Sequence, residues 1–184
     1  GLLLSGEMAT PLLEGGTGSV SLSQEMPDFL PDRLEAGTHN IAGIAGLLEG
    51  LRFLRRKGVE QIGAWEAGLV RRTGEMLMHL PGVEVFRAPE NTGVQAGVLS
   101  FRAEGWDCEE LGEELGRRGA ALRAGLHCAP LAHRTAGTLD TGTLRMSVSA
   151  FTTYQEVWKF FRILQTLLPG GRSRNNKTKL PPVR

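Results

Sequence analysis

Amphipathic helical patterns that alternate with short strand-like segments constrain this fold more than any other feature of the sequence. Between Ile41 and Leu54, apolar side chains recur at steps of three and four residues, and three cations follow them. This period predicts a helix that is capped by Asn40 or Thr38 and ends before Gly58, with its cations at the end where the helix dipole is negative.

Three further helices are predicted downstream. The first of them is stopped by Pro81, the second covers Asp107–Arg118, and the last covers Tyr154–Leu168 and begins with a capping box of Thr153 and Glu156. The apolar side of each is expected to be buried, with Ile62, Trp65, Leu69, Met76 and Leu80 in the first and Val157, Phe160, Phe161, Leu164 and Leu168 in the last.

Short strand candidates lie between these helices. They are Val83–Phe86, Ala96–Phe101, Ala121–Arg123 and Leu144–Val148. A few strands covered by helices predict a small α+β domain within an α/β protein. The residues before 38 are rich in turn formers and resemble the edge of another domain.

Composition and charge exclude several classes of protein. The longest run without a charged residue, Ala36–Leu48, is too short for a membrane-spanning helix. The net charge is +1, but residues 170–184 carry five cations and no acid, so the rest of the chain is acidic and a nucleic-acid partner is not expected. The basic tail itself is expected to be disordered. Two cysteines do not form a disulfide framework, which favours a cytoplasmic protein.

The segment Arg123-Ala-Gly-Leu-His127-Cys128-Ala-Pro130 is the strongest candidate for chemistry. A cysteine becomes a nucleophile when cations or backbone donors stabilise its thiolate, and Arg123 and His127 are close to Cys128 in sequence. The plain alternative is a small buried cysteine on a turn. Cys108, in the first turn of a predicted helix, fits that alternative and is assigned no role.

Two other readings of this segment remain open. A metal site could use His127, Cys128, His133 and Cys108, although adjacent residues do not easily reach one tetrahedral ion and paired ligand spacing is absent. A cysteine hydrolase is also possible, but the sequence does not identify its base or the acid that would orient that base.

Arg145 lies in a segment, residues 143–149, in which apolar and polar residues alternate. A strand with this period shows one face to the core and the other to water or a cleft, where the guanidinium could grip a carboxylate. An arginine that is simply solvated is the alternative.

Two glycine-containing segments could bind an anion. One is Gly15-Gly16-Thr17-Gly18-Ser19, whose backbone N–H groups and hydroxyls suit a phosphate, and the other includes Thr38 just before a helix. Neither matches a phosphate-binding P-loop or a dinucleotide fingerprint. Taken singly, each could serve only as a turn or a helix cap.

Taken in order, these segments resemble the C-terminal half of class V aminotransferase-fold enzymes, and among them the cysteine desulfurases and the related selenocysteine lyases. The resemblance covers about residues 1–168. Its most specific part is the pair of motifs Arg-x-Gly-x-His-Cys-Ala, ending at Ala129, and Gly-Thr-x-Arg-x-Ser, which contains Arg145.

The resemblance implies a homodimeric enzyme that uses pyridoxal 5'-phosphate to convert L-cysteine to L-alanine, passing sulfur on to a protein or thiol acceptor. Cys128 would then accept the sulfur as a persulfide. Arg145 would bind the substrate carboxylate, with Arg123 and His127 at the same cleft. Implied cofactor contacts are Thr38, which reaches the phosphate across the dimer interface, together with Gly16, Thr17 and Gly18.

The resemblance also implies that the lysine that holds the cofactor precedes this chain. None of Lys57, Lys159, Lys177 and Lys179 follows a Ser/Thr-His pair, and Gly1–Ser5 resembles the strand that comes shortly after that lysine. The chain is therefore expected to be a fragment of a fold-type I enzyme that lacks most of its large domain and is inactive alone.

The expected organisation has four parts. Residues 1–37 belong to the edge of the large cofactor-binding domain, 38–58 to an interdomain helix, 59–169 to a small C-terminal domain and 170–184 to the tail. Alternatives that remain open are another class V aminotransferase, a selenocysteine lyase, and a remnant or interaction domain without enzymatic activity.

Overall fold

The computed structural model describes residues 10–88 and 95–168. The predicted strand at Gly1–Ser5 and the predicted disordered tail lie outside the described residues. The chain forms two compact units and passes from one to the other between Arg56 and Lys57. In these ranges, no helix combines the length and the apolar character needed to cross a membrane.

The first unit contains a short 3-10 helix, Asp32–Leu34, and helix α1, Ile41–Lys57, which ends at the boundary. The Asn40 side chain caps α1, because its Oδ1 accepts a hydrogen bond from the Gly43 N–H at 2.9 Å. The predicted helix is thus confirmed, with Asn40 as its cap. Its apolar stripe is exposed, and comprises Ile41, Ile44, Leu47, Leu48, Leu51 and Leu54.

In its described residues, the second unit has four helices and four strands. In chain order they are α2 (Val59–Met78), β1 (Val83–Phe86), β2 (Val98–Ala103), α3 (Cys108–Arg117), β3 (Arg123–Gly125), α4 (Pro130–Thr135), β4 (Thr143–Ser147) and α5 (Tyr154–Leu167).

The strands form one antiparallel sheet with the order β1-β2-β4-β3. Alternate residues of the central strands point to the helices, so that Leu99 and Phe101 of β2 and Leu144 and Met146 of β4 are buried in the core. Helices α2, α3 and α5 pack with them in one apolar core. The predicted small α+β architecture is confirmed.

The opposite face of the sheet carries polar and charged residues. Ser100 of β2, Arg145 of β4 and Arg123 of β3 lie side by side across three strands, because Arg145 is the register partner of both others. These residues and the turn that follows β3 form the candidate site.

Helix α5 matches its prediction, and its capping box is present. The Thr153 hydroxyl accepts a hydrogen bond from the Glu156 N–H, and the Glu156 carboxylate accepts one from the Thr153 N–H at 2.7 Å. All five apolar residues predicted to be buried in this helix are buried.

The buried face of α2 differs from the prediction. Trp65 is 45% exposed, and its indole N–H donates to the Thr152 carbonyl at 3.1 Å instead of entering the core. The contact with the core is made further along the helix, at Leu69, Val70 and Leu77. An indole keeps its N–H bonded, which favours this position at the edge of the core.

The starts of two strands and one short helix also differ from the predictions. Strand β2 begins at Val98, two residues later than predicted, and β3 begins at Arg123, where the predicted strand ends. Helix α4 was not predicted, since six residues are too few to show a helical period.

Candidate functional site

Cys128 lies on a tight turn between β3 and α4. His127 and Cys128 both have left-handed backbones, with φ values of 52° and 58°. The Ala129 N–H donates to the Leu126 carbonyl at 2.9 Å and closes the turn. A left-handed backbone costs a residue other than glycine about 1 kcal/mol, so the surroundings have to hold this turn. The side chain of Cys128 is exposed as a result.

Arg123 lies next to the cysteine sulfur. Its Nη2 is 3.9 Å from Cys128 Sγ, within reach of a weak hydrogen bond to sulfur. A guanidinium at this position places a positive charge beside the sulfur and could pair with an anionic ligand there. The structure thus brings together the two residues that the motif suggested.

Arg145 lies opposite Arg123 in the sheet, since the two are register partners on β4 and β3. Like charges that face each other across strands repel, and neither arginine forms a salt bridge with a carboxylate among the described residues. In the same ranges the buried Nε of Arg145 has no hydrogen-bond partner. Two facing guanidinium groups without a carboxylate partner in those ranges, of which that of Arg123 is beside the thiol, suit an anionic ligand such as a carboxylate.

His127, the first of the two left-handed residues in the turn, is half-buried. Its Nε2 is 3.2 Å from Thr143 Oγ1 at the start of β4. Burial lowers the pKa of His127, and the charges of Arg145 and His133 lower it further, while a hydrogen bond to the Thr143 backbone opposes the shift. The imidazole is therefore neutral near pH 7.

The remaining predicted residues are in the first unit. The Gly37 N–H donates to the Gly16 carbonyl at 2.9 Å, which joins the Gly16–Gly18 loop to the residue before Thr38. Thr17 Oγ1 is 2.8 Å from Ser19 Oγ, and Thr38 is exposed. Hydroxyls and backbone N–H groups on two joined loops form a donor set that suits a phosphate.

Ser100 belongs to the site but was not predicted. It lies on β2 as the register partner of Arg145, on the polar face of the sheet. Alternation in residues 98–103 indicates which face Ser100 occupies, but the sequence does not reveal which strand pairs with which.

The sheet carries helices on one side and, on the other, two facing arginines near a turn with an exposed cysteine. Comparison with known proteins identifies the class of protein that has this fold and site. The family model described as Aminotransferase class-V matches residues 4–160. The chain belongs to this family.

Similar curated proteins are named as cysteine desulfurases. A probable cysteine desulfurase of Mycolicibacterium paratuberculosis is 36% identical over 165 residues, which are 88% of this chain and 23% of that protein. A cysteine desulfurase of Synechococcus elongatus is 39% identical over 149 residues, 80% of this chain and 23% of that protein. The chain thus spans about a quarter of the length of these relatives.

Solved structures agree with this assignment. The apo cysteine desulfurase of Thermococcus onnurineus is 34% identical and superposes with a TM-score of 0.70, covering 86% of this chain and 39% of that one. The cysteine desulfurase CsdA of Escherichia coli, in an S-sulfonic acid form, is 30% identical with a TM-score of 0.68, covering 87% of this chain and 40% of that one. The expected resemblance and fold class are confirmed.

Proposed function

We propose that the protein to which this chain belongs is a pyridoxal 5'-phosphate-dependent cysteine desulfurase that converts L-cysteine to L-alanine and receives the sulfur on Cys128. The observation that carries the proposal is the cluster of an exposed thiol on a turn, Arg123 at 3.9 Å from it, and Arg145 opposite Arg123 in the sheet. The names of the relatives support the same reaction.

Arg145 and Arg123 have different parts in this proposal. Arg145, in a central strand, binds the carboxylate of L-cysteine, and no carboxylate of the described residues forms a salt bridge with its guanidinium. Arg123, whose Nη2 is 3.9 Å from Cys128 Sγ, borders the sulfur that carries out the attack and holds the transferred sulfur on Cys128. His127 borders the same cleft as a neutral donor, since its pKa is lowered by burial and by the neighbouring cations.

The sulfur transfer is balanced without an external oxidant. The sulfur of Cys128 forms a bond to the substrate sulfur, the substrate's bond between Cβ and sulfur breaks, and Cβ takes up the proton that completes L-alanine. Cys128 is left as a persulfide, which a protein or thiol acceptor then reduces. When bound, the cofactor supplies the electron withdrawal that makes this bond cleavage possible.

The first unit fits the phosphate end of the cofactor. Thr17, Gly16 and Gly18 lie on one loop, and the Gly37 N–H joins that loop to the segment of Thr38. We assign Thr38 to the phosphate of the neighbouring subunit in a homodimer. The described lysines do not offer an anchor, because Lys57 is exposed at the end of α1 and Lys159 is exposed on α5. We infer that the lysine that holds the cofactor belongs to a part of the enzyme outside this chain.

The domain organisation follows from this assignment. Residues 1–37 would complete a cofactor-binding domain, 38–58 would link the domains, and 59–169 would form the small domain that carries Cys128. The isolated chain is expected to be inactive because it does not contain the anchoring lysine.

The test uses the polypeptide that contains this chain together with the lysine. With L-cysteine and the cofactor, the parent should yield equal amounts of alanine and sulfur, and mass spectrometry should find a persulfide on Cys128. Cys128→Ala should lower alanine formation at least about 100-fold. Cys108→Ala is the matched control, because Cys108 is buried in the first turn of α3. Undiminished sulfur release by Cys128→Ala would rule out the proposal.

A further inference from the structure

His133 and Thr138 form a buried polar pair behind the Cys128 turn. Both side chains are almost completely buried, at 6% and 1% exposure, and His133 Nδ1 is 2.8 Å from Thr138 Oγ1. The Thr138 N–H also donates to the His133 carbonyl at 2.8 Å. Burying an imidazole is costly unless it is hydrogen-bonded, and the Thr138 hydroxyl supplies that bond and fixes the orientation of the ring.

His133 is in contact with His127, the residue that precedes the cysteine. The centroids of the two rings are 5.7 Å apart and the rings are inclined by 45°. His127 has no other ring within stacking distance among the described residues. The His133 ring therefore limits the positions that the His127 ring can take.

The contacts form a closed circuit. His127 Nε2 meets Thr143 Oγ1, and Thr143 follows Gly142, whose N–H donates to the Thr138 carbonyl at 2.9 Å. Thr138 bonds His133, and the His133 N–H returns to the Ala129 carbonyl at 3.1 Å, next to the cysteine. The circuit connects both ends of the left-handed turn to the start of β4.

This circuit supplies what the turn requires. Two successive left-handed residues persist only where the surroundings over-determine them. The Arg123 contact to Cys128 Sγ depends on the same turn, since Arg123 lies on β3 and the cysteine lies three residues after that strand.

We propose that His133 is a positioning residue for persulfide formation: its ring, fixed by Thr138, holds His127 against Thr143 and thereby keeps the Cys128 sulfur beside Arg123. The inference rests on the proposed function for its biological meaning. The reactivity of the Cys128 thiol and the tautomer of the His127 imidazole can both be measured without cofactor or substrate.

The His127 ring provides a signature of this role. Its Nδ1 is buried and has no hydrogen-bond partner in the described part of the chain, whereas Nε2 reaches Thr143. The contact to Thr143 is made by Nε2 in either tautomer, with the imidazole or the hydroxyl as donor, so the tautomer reports on this contact. The charged or titratable groups that face this ring are Arg145 on β4, Arg123 on β3 and His133 on α4.

The experiment measures two quantities on the 184-residue chain at pH 7.5. The first is the second-order rate constant for alkylation of Cys128 by iodoacetamide, followed by peptide mass spectrometry. The second is the tautomer of His127, read from long-range ¹H–¹⁵N correlation spectra. The variants are His133→Leu, Thr138→Val and Thr138→Ser, with Thr73→Val as the matched control. Thr73 is also fully buried, but its hydroxyl bonds the Leu69 carbonyl within α2.

We expect His133→Leu and Thr138→Val to lower the Cys128 rate constant about fivefold, the effect of one lost hydrogen bond, and to mix the two His127 tautomers. Thr138→Ser, which keeps the hydroxyl, should restore the parent values. Thr73→Val should leave both quantities unchanged. If His133→Leu does not fold, the Thr138→Val and Thr138→Ser pair decides the matter.

Three results would overturn the proposal: an unchanged His127 tautomer in Thr138→Val, an unchanged Cys128 rate constant in that variant, or an equal loss in Thr73→Val. None of them depends on turnover of L-cysteine. The experiment therefore tests the positioning role of His133 separately from the proposed desulfurase activity.

Discussion

Gly142 is the residue at which a single methyl group should disturb the site most. It precedes β4 with a φ of +62°, a backbone conformation that other residues adopt only at a cost. A Cβ built there would lie 2.9 Å from Cys108 Sγ, 3.1 Å from the Gly125 Cα and 3.2 Å from the Gly125 carbonyl carbon. Two of these three neighbours are backbone atoms, so they cannot rotate away.

The expected loss for Gly142→Ala has two parts. The left-handed backbone costs alanine about 1 kcal/mol, and overpacking against a rigid neighbour costs about 1–3 kcal/mol more. The free energy of unfolding should therefore fall by about 2–4 kcal/mol. Gly137→Ala is the matched control, because Gly137 has a φ of +67° but open space around its Cβ position. It should lose only about 1 kcal/mol.

Urea unfolding followed by tryptophan fluorescence measures both losses. All three tryptophans, Trp65, Trp106 and Trp158, belong to the same unit as Gly142. Cys108→Ala in the Gly142→Ala background should recover part of the loss by removing Sγ, and the coupling is read from a double-mutant cycle. Equal losses for Gly142→Ala and Gly137→Ala, within about 0.5 kcal/mol, would refute the steric argument.

Two further predictions concern a helix cap and a histidine. Thr153→Ala removes the cap of α5 and should lower the free energy of unfolding by about 1 kcal/mol, whereas Thr153→Ser keeps the hydroxyl and should not lower it. Thermal unfolding measures both variants. An equal loss in the serine variant would contradict the assigned cap. The pKa of His127 is lowered in the folded state, mainly by burial, so protonation favours the unfolded chain and stability should be lost as the pH falls below about 6.5. His127→Asn should flatten this dependence in urea titrations between pH 7 and pH 5, and an unchanged slope would contradict the prediction.

The elements that the sequence predicts well are those set by neighbours in the chain. The α1 and α5 helices and their caps at Asn40 and Thr153 follow from local periodicity and capping chemistry. The polar face of β4 follows from alternation. In these segments local preference and tertiary packing agree, so a single sequence is enough.

The features that the sequence does not predict depend on contacts between distant residues. The pairing of Arg123 with Arg145 requires knowledge of the strand order β1-β2-β4-β3. The left-handed turn at His127 and Cys128 has no glycine to mark it. The circuit through Thr138 joins residues whose types are common in loops, and only their burial distinguishes them.

The strand order also has a consequence for the order in which the site opens. Arg145 lies on a strand that is hydrogen-bonded on both sides, while Arg123 lies on a three-residue strand that, among the strands described, pairs with β4 alone. Backbone amides of β4 should therefore exchange with solvent deuterium only in large openings, and those of β3 in small, frequent ones. Arg123, beside the sulfur, would then change position many times for each movement of Arg145. Arg145 would act as a persistent anchor, whereas the contact of Arg123 with the sulfur could break and re-form as sulfur arrives and leaves.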